Sequence, residues 1–262
     1  MNVFISTDME GISGIATYGA VFDVDSNEYQ EGLKRLMADT NAAVKAAFDA
    51  GAEKVYVCDG HYHGKNFLEG KLDKRATQVW VKDLSWVAKD VSAVVAIGSH
   101  AMAGTQGAFL DHTQLYREIH HYFYNGERIG ELMQMGVYMG HFGVPMVAMS
   151  GDKAACEEAK RFFGNEICTA CVKVGKERNV AECLPNEQAE KRIYDAVKKG
   201  IENRANCKPY AMQLPFEVKV EFNCCDYCED ECRNRTDLER VDGYTARCIK
   251  REIKEYYTGV LL

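Results

Sequence analysis

The sequence predicts an α/β protein with a mainly parallel central sheet flanked by helices and a smaller C-terminal α+β lobe. Three observations carry this prediction. Strand and helix patterns alternate along the chain, the strands are almost wholly apolar, and glycine-containing turns separate them. Near-continuous apolar strands between helices are typical of a sheet that is buried on both faces. A chain of 262 residues is long enough for one such unit or for two lobes that share a core.

The N-terminal part of the chain supplies the first strands of this sheet. Residues 2–7 (NVFIST) form the first predicted strand, and apolar residues at helical spacing predict a helix over 28–49 that ends at Gly51. The next two strands are predicted at 54–60 (KVYVCDG) and 92–100 (SAVVAIGSH).

A hairpin interrupts the alternation. Asn125-Gly126 lies between aromatic and apolar residues in 120–130, which favours a type I′ turn. A helix over 131–141 then opens on Glu131. The remaining predicted elements are, in order, strand 145–152, helix 153–163, strand 168–174, helix 187–203, strand 215–222, a strand near 237–249 and a last helix.

The predicted domain organisation follows from this order. We expect a metal-binding α/β lobe over 1–165 and a C-terminal α+β lobe over 166–262, packed as one unit. The sequence shows no internal repeat. It also shows no proline-rich linker, since it contains only four prolines. A boundary near 150–165 would therefore separate lobes rather than independent domains.

Composition argues against several classes of protein. A net charge of −7 and the absence of a basic stripe argue against nucleic acid as a partner. No apolar run approaches the roughly 20 residues that a membrane-spanning helix needs. The N-terminus reaches acidic residues too early for a secretory signal, and eleven cysteines suit a reducing compartment. We expect a cytoplasmic protein.

Acidic and histidine side chains follow the first three predicted strands. In parallel sheets, functional groups gather at the carboxyl ends of the strands. Each residue alone has a simpler explanation, as a turn former, a hydrogen-bonded histidine or a helix N-terminal acid. Together they form a set of plausible metal ligands: Asp8, Glu10, His61, His100 and Glu131.

The number of these candidates bears on the kind of site. In an extended chain Asp8 and Glu10 point to the same side, where their charges repel unless a cation or hydrogen bonds lie between them. One catalytic zinc takes about three protein ligands. Five candidates therefore suit two ions that share a bridging carboxylate.

Several motifs occur together in a characteristic order. They are STDMEGISG (6–14), DGHYHGKN (59–66), GSHAMAGT (98–105), DHT (111–113), FYNGERIGEL (123–132) and MSGDKAA (149–155). In this order the sequence resembles the D-aminopeptidase family of zinc metallopeptidases. The resemblance covers most of the chain and extends through CVKVGKERNVAECL (171–184) and VEFNCCDYCEDE (220–231).

The resemblance implies an activity and a set of residue roles. It implies two Zn²⁺ ions per subunit, with Asp8 bridging them and the other four candidates completing the ligand set. N/O ligands also accept Mn²⁺ or Co²⁺. It further implies removal of N-terminal D-amino acids from short peptides, by a homodecamer of two five-membered rings. A catalytic histidine of the family matches His112, whose DHT context favours it over His120 or His121.

The resemblance suggests hydrolysis through a metal-bound hydroxide, with His112 stabilising the oxyanion or moving a proton to the leaving amine. Two alternatives remain at this point. One is a metal- or peptide-binding protein without turnover. The other is a cysteine-dependent hydrolase that uses Cys58 with His61, although a buried thiol is inert.

Other residues near these motifs have simpler predicted roles. We expect Asp59 to form a turn with Gly60 rather than orient His61, and His63 to lie outside the ligand set. Gly11 is expected to let the chain turn away from the site.

The stretch CCDYCEDEC repeats cysteine every four residues, at positions 224, 228 and 232. This spacing favours one buried or half-buried face of a helix over a zinc or iron–sulfur site.

Overall fold

The computed structural model describes residues 1–253, in which two sheets are formed. The strands of this part of the chain are β1 Asn2–Thr7, β2 Lys54–Asp59, β3 Thr77–Val79, β4 Ala93–Ser99, β5 Ile119–Tyr124, β6 Glu127–Ile129, β7 Met146–Asp152, β8 Cys168–Glu177, β9 Val180–Cys183, β10 Phe216–Phe222, β11 Glu239–Arg240 and β12 Thr245–Lys250.

Most of the predicted helices are present within a residue of their expected bounds. The α-helices are α1 Gly19–Phe22, α2 Asn27–Asp49, α3 Leu84–Asp90, α4 Glu131–His141, α5 Lys153–Phe163, α6 Asn186–Glu202 and α7 Cys225–Asn234. The last predicted helix falls beyond residue 253, outside the described residues. No helix among residues 1–253 is long and apolar enough to span a membrane.

The first sheet confirms the predicted mainly parallel architecture. Its order is β3-β2-β1-β4-β7-β8-β9, and among the described strands only the β8–β9 pair is antiparallel. Residues that alternate along each strand divide between two apolar cores. One core packs the sheet against α2 and α6, and the other packs it against α3, α4, α5 and the second sheet.

The second sheet is antiparallel, in the order β11-β12-β10-β5-β6. Its hairpin confirms the turn prediction, because Asn125 and Gly126 have φ values of 47° and 80°, as a type I′ turn requires. Both sheets take strands from both sides of residue 165, and the division into lobes stays a prediction.

Several elements differ from the prediction. β8 runs three residues further than expected, and the strand expected near 237–249 is two strands, β11 and β12. The sequence did not predict α1, β3, α3 or β9. The first three of these elements have four, three and seven residues, too few for a clear hydrophobic period.

Candidate metal centre

Three neighbouring strands end side by side at the candidate site. β1 pairs in parallel with β2 on one side and with β4 on the other. Asp8 and Glu10 follow β1, His61 follows β2, and His100 follows β4, while Glu131 is the first residue of α4. The structure therefore brings all five predicted candidates to one edge of the sheet.

Asp8 lies between two histidines. Its Oδ1 atom is 3.0 Å from Nδ1 of His61, and its Oδ2 atom is 3.3 Å from Nε2 of His100. A carboxylate whose two oxygens face different nitrogen atoms has the arrangement needed to bridge two cations.

Glu10 belongs to the group beside His61. Its Oε2 atom is 3.2 Å from Nδ1 of His61, and its side chain is fully buried. Neither Glu10 oxygen has a hydrogen-bond partner among residues 1–253. Because a buried carboxylate is costly unless its charge is compensated and its oxygens are hydrogen-bonded, this group fits a cation held with Asp8 and His61.

A second group surrounds His100. Its Nε2 atom is 3.5 Å from Oε1 of Glu131, and Nε2 of His112 is 3.8 Å from the same oxygen. The His100 and His112 rings stack with centroids 3.9 Å apart and planes within 9°. Nε2 of His112 is also 4.0 Å from Oε1 of Glu10, so His112 lies between the two groups.

The structure distinguishes His112 from the two histidines that follow it in sequence. His120 is exposed on β5. On the second sheet, Nδ1 of His121 is 3.3 Å from the Glu221 carboxylate and Nε2 is 3.1 Å from the Arg128 guanidinium group. Of these three histidines, His112 alone is placed among the acidic candidates.

Hydrogen bonds orient two of the imidazole rings. Nδ1 of His100 donates to the Ala101 carbonyl oxygen at 2.9 Å, and Nδ1 of His112 donates to the Leu110 carbonyl oxygen at 2.8 Å. A carbonyl oxygen can only accept, so the proton is on Nδ1 in each neutral ring. Both Nε2 atoms are then left facing carboxylates, as ligand nitrogens that face a cation would be.

The pKa values reflect this crowding of charges. Burial and the adjacent Glu10 carboxylate raise the pKa of Asp8 to about 7. Burial opposes protonation of His61 and His100, yet the surrounding carboxylates raise both pKa values well above their usual range. Burial and the neighbouring His100 lower the pKa of His112. Three carboxylates therefore share one buried site, and a bound cation would compensate their charge without protonation of the histidines.

The main chain between Asp8 and Ile12 differs from the extended chain assumed above. The strand ends at Thr7, and a turn follows in which the Ile12 N–H donates to the Met9 carbonyl oxygen at 3.1 Å. Asp8 and Glu10 still reach the same histidine. The turn, rather than the predicted alternation along a strand, brings the two side chains together.

Gly11 has a different role from the predicted one. A Cβ atom at Gly11 would lie 2.2 Å from the Ser99 carbonyl oxygen, and one at Gly98 would lie 2.2 Å from the Asp8 carbonyl oxygen. Gly98 also has a φ of +78°. Glycine at both positions lets the loop after β1 lie directly against the end of β4.

Buried polar groups that the sequence reasoning missed hold this loop from beneath. Nζ of Lys173 donates to the carbonyl oxygens of Glu10 and Ile15, at 2.7 and 2.6 Å. Asp39 of α2 accepts from the N–H and the hydroxyl of Ser13, at 2.8 and 2.7 Å. A lone lysine within the apolar stretch CTACVKV was the available signal for Lys173.

Asp59 organises the loop that carries His61. It accepts hydrogen bonds from the main-chain N–H groups of His61 at 3.2 Å and Asn66 at 2.6 Å, and does not contact the imidazole ring. The prediction of a turn-forming role is confirmed. His63 is exposed.

The cysteines lie apart from the acidic cluster. All eleven cysteines are free thiols. Within residues 1–253, two groups of three ligand side chains lie close enough together to share an ion, and both groups lie at the candidate site. Cys228 is buried and Cys232 half-buried on α7, as predicted for a helix face. Burial raises the pKa of the Cys58 thiol to about 12, which argues against a cysteine nucleophile.

Comparisons with known proteins identify the family and the fold. The sequence model of the D-aminopeptidase family matches residues 1–262. A D-aminopeptidase of Bacillus subtilis (strain 168) is 28% identical over 227 residues, covering 85% of this chain and 81% of the relative. A solved structure, the Zn-dependent D-aminopeptidase DppA from Bacillus subtilis, described as a self-compartmentalizing protease, superposes with a TM-score of 0.91. It is 25% identical, and the match covers 98% of this chain and 94% of that one.

Proposed function

The chain belongs to the D-aminopeptidase family and is a metallo-aminopeptidase, and we propose that it removes N-terminal D-amino acids from short peptides with two zinc ions held at the candidate site. The observation that carries the proposal is the position of Asp8, whose two oxygens face His61 and His100 on opposite sides. The likeness to a Zn-dependent D-aminopeptidase supports the choice of metal and substrate.

Two groups of residues would hold the ions. Asp8, Glu10 and His61 form the first group, and Asp8, His100 and Glu131 form the second. These oxygen and nitrogen donors suit zinc and also accept Mn²⁺ or Co²⁺. When bound, two such ions would supply a hydroxide nucleophile at neutral pH and polarise the scissile carbonyl.

The chain's own residues divide the remaining work. The side chains of Asp8 and Glu131 are 22% and 24% exposed, so the centre that they form is accessible to the N-terminus of an incoming peptide. His112 is neutral near pH 7, because burial and His100 lower its pKa. Its unprotonated Nε2 atom can accept a proton and return it to the leaving amine.

We also propose that the chain assembles into a closed homodecamer. The superposition on a self-compartmentalizing protease over 98% of this chain supports an assembly of the same kind. Mass photometry at nanomolar concentration would give a species of ten chains. A monomer or dimer in sedimentation velocity at micromolar concentration would contradict the proposed assembly.

Peptide hydrolysis with defined metal content tests the activity. We expect the zinc-loaded protein to cleave D-Ala-D-Ala faster than L-Ala-L-Ala, to lose activity with a chelator and to regain it with zinc. Cleavage by metal-free protein, or a preference for the L,L peptide, would contradict the proposal. Tight zinc and peptide binding without turnover would favour a binding protein instead.

A pair of histidine variants tests the role of His112. His112→Ala should slow hydrolysis by about 10²–10⁴-fold with zinc retained, since general acid–base catalysis contributes about that much. His120→Ala is the matched control, because His120 is exposed on β5. Loss of an ion from His112→Ala would assign His112 as a ligand instead.

A further inference from the structure

Three aromatic side chains gather at the surface beside the candidate metal centre. Phe22 ends α1, Tyr18 precedes that helix, and Tyr116 lies between His112 and β5. The Phe22 ring centroid is 4.7 Å from that of Tyr18 and 5.7 Å from that of Tyr116. Tyr18 is 37% exposed, and the other two rings are half-buried.

These rings touch the site from one side. The ring centroids of Phe22 and His61 are 6.0 Å apart. The ring centroids of Tyr116 and His112 are 6.3 Å apart, and these two rings are nearly perpendicular at 82°. Phe22 and Tyr116 therefore place apolar ring surface next to two histidines of the polar centre. A mainly apolar wall with a few convergent polar groups is typical of a small-molecule binding site.

Hydrogen bonds fix the wall in place. The hydroxyl groups of Tyr18 and Tyr116 are 3.1 Å apart and share a hydrogen bond, and Nε of Arg117 donates to the Tyr116 hydroxyl at 2.8 Å. These contacts join the segment before α2 to the loop that carries His112. The rings are thus oriented in advance, which lowers the entropy cost of binding a side chain against them.

We propose that Phe22, Tyr18 and Tyr116 bind the side chain of the substrate's N-terminal residue and favour peptides that begin with a large apolar or aromatic residue. This inference rests on the proposed function and names the substrate class of the same site. An aromatic side chain of the substrate would pack against these rings with centroids about 4.5–7 Å apart, the separation that aromatic pairs prefer.

Proximity favours the N-terminal residue over the second residue. The α-amine and the side chain of one residue share a Cα atom, and in the proposed reaction the N-terminus of the peptide lies at the centre formed by Asp8 and Glu131. The second residue's Cα is about 3.8 Å further along the chain. The wall contacts His61 and His112 directly, so the first side chain is the one within reach.

The test compares D-Phe-D-Ala, D-Ala-D-Phe and D-Ala-D-Ala. We expect the wild-type protein to prefer D-Phe-D-Ala, and Phe22→Ala to lower the ratio of kcat/KM for D-Phe-D-Ala over D-Ala-D-Ala by about tenfold. Tyr116→Phe keeps the ring and should retain most of the preference, whereas Tyr116→Ala should lose it. Tyr244→Ala, on an exposed turn of the second sheet, is the matched control.

Calorimetric binding of the same three peptides separates this inference from the proposed activity. A wild type that cleaves none of them contradicts the proposed function, while a binding preference that Phe22→Ala abolishes still supports the wall. An unchanged ratio in both Phe22→Ala and Tyr116→Ala, with zinc content and melting temperature as in the wild type, would overturn the inference. A change confined to D-Ala-D-Phe would also overturn it.

Discussion

The ammonium group of Lys173 lies 2.7 Å from the main-chain carbonyl oxygen of Glu10 and donates a hydrogen bond to it. Lys173 is fully buried, and burial lowers its pKa to about 8. A buried cation is costly unless its donors are used. Here the Lys173 ammonium group fixes the loop that carries Glu10, whose carboxylate lies in the candidate metal centre.

Replacing Lys173 should therefore weaken both the fold and the site. Lys173→Met leaves the carbonyl oxygens of Glu10 and Ile15 without their donor, at a cost of about 2–5 kcal/mol in the free energy of unfolding. Zinc affinity should fall with it. Urea denaturation and competition with a chromophoric chelator measure the two effects.

Lys191→Met is the control, since Lys191 is 73% exposed and, among the described residues, pairs only with Asp195 one helical turn away. Equal zinc affinities in Lys173→Met and Lys191→Met would show that Lys173 does not position Glu10.

Gly98 offers a second test of how the loop fits against the sheet. Gly98→Ala places a methyl group 2.2 Å from the Asp8 carbonyl oxygen, in addition to the strain of a φ of +78°. Gly51→Ala suffers similar strain at +88° but meets no atom within 4 Å. We expect about 1–2 kcal/mol of destabilisation for Gly51→Ala and about 1–3 kcal/mol more for Gly98→Ala. Equal melting temperatures would contradict the close contact.

Cys171 should be an unusually reactive thiol. A hydrogen bond from the Cys156 thiol lowers the pKa of Cys171 to about 7. Since the thiolate is the nucleophile, the alkylation rate of Cys171 should reach its plateau at a lower pH than the rate of an ordinary thiol. Cys156→Ala should shift this profile upward toward the free-thiol value of about 8.5. Mass spectrometry of alkylated peptides measures the rate, and an identical profile in the variant would disprove the pairing.

A chelator should abolish peptide hydrolysis, whereas alkylation of the cysteines should leave it unchanged. Cys58 is buried, and its pKa of about 12 leaves almost no thiolate at neutral pH. Iodoacetamide at pH 7.5 should therefore leave peptide hydrolysis intact, whereas a chelator should abolish it. Inactivation by iodoacetamide with full zinc content would revive a cysteine-dependent reaction.

Much of this architecture could be predicted because its signals are local. Apolar runs predict β1, β2 and β4, and Asn125-Gly126 predicts the hairpin. The rule for parallel sheets then brings the acids and histidines after these strands to one edge.

Other features depend on distant contacts. Lys173 meets Glu10 across 163 positions of sequence, and Tyr18 meets Tyr116 across 98. The turn after Asp8 requires the backbone of β4 beneath it, which no pattern within residues 6–14 reveals.

The number of zinc ions per chain tests the central claim most directly. Inductively coupled plasma mass spectrometry after dialysis against a low zinc concentration should give two ions for the wild-type protein. Glu10→Gln and Glu131→Gln should each retain about one, because each removes a ligand from one group, and Asp8→Asn should lose most of both. A single ion in the wild type, or two ions retained in Asp8→Asn, would contradict a pair of metals bridged by Asp8.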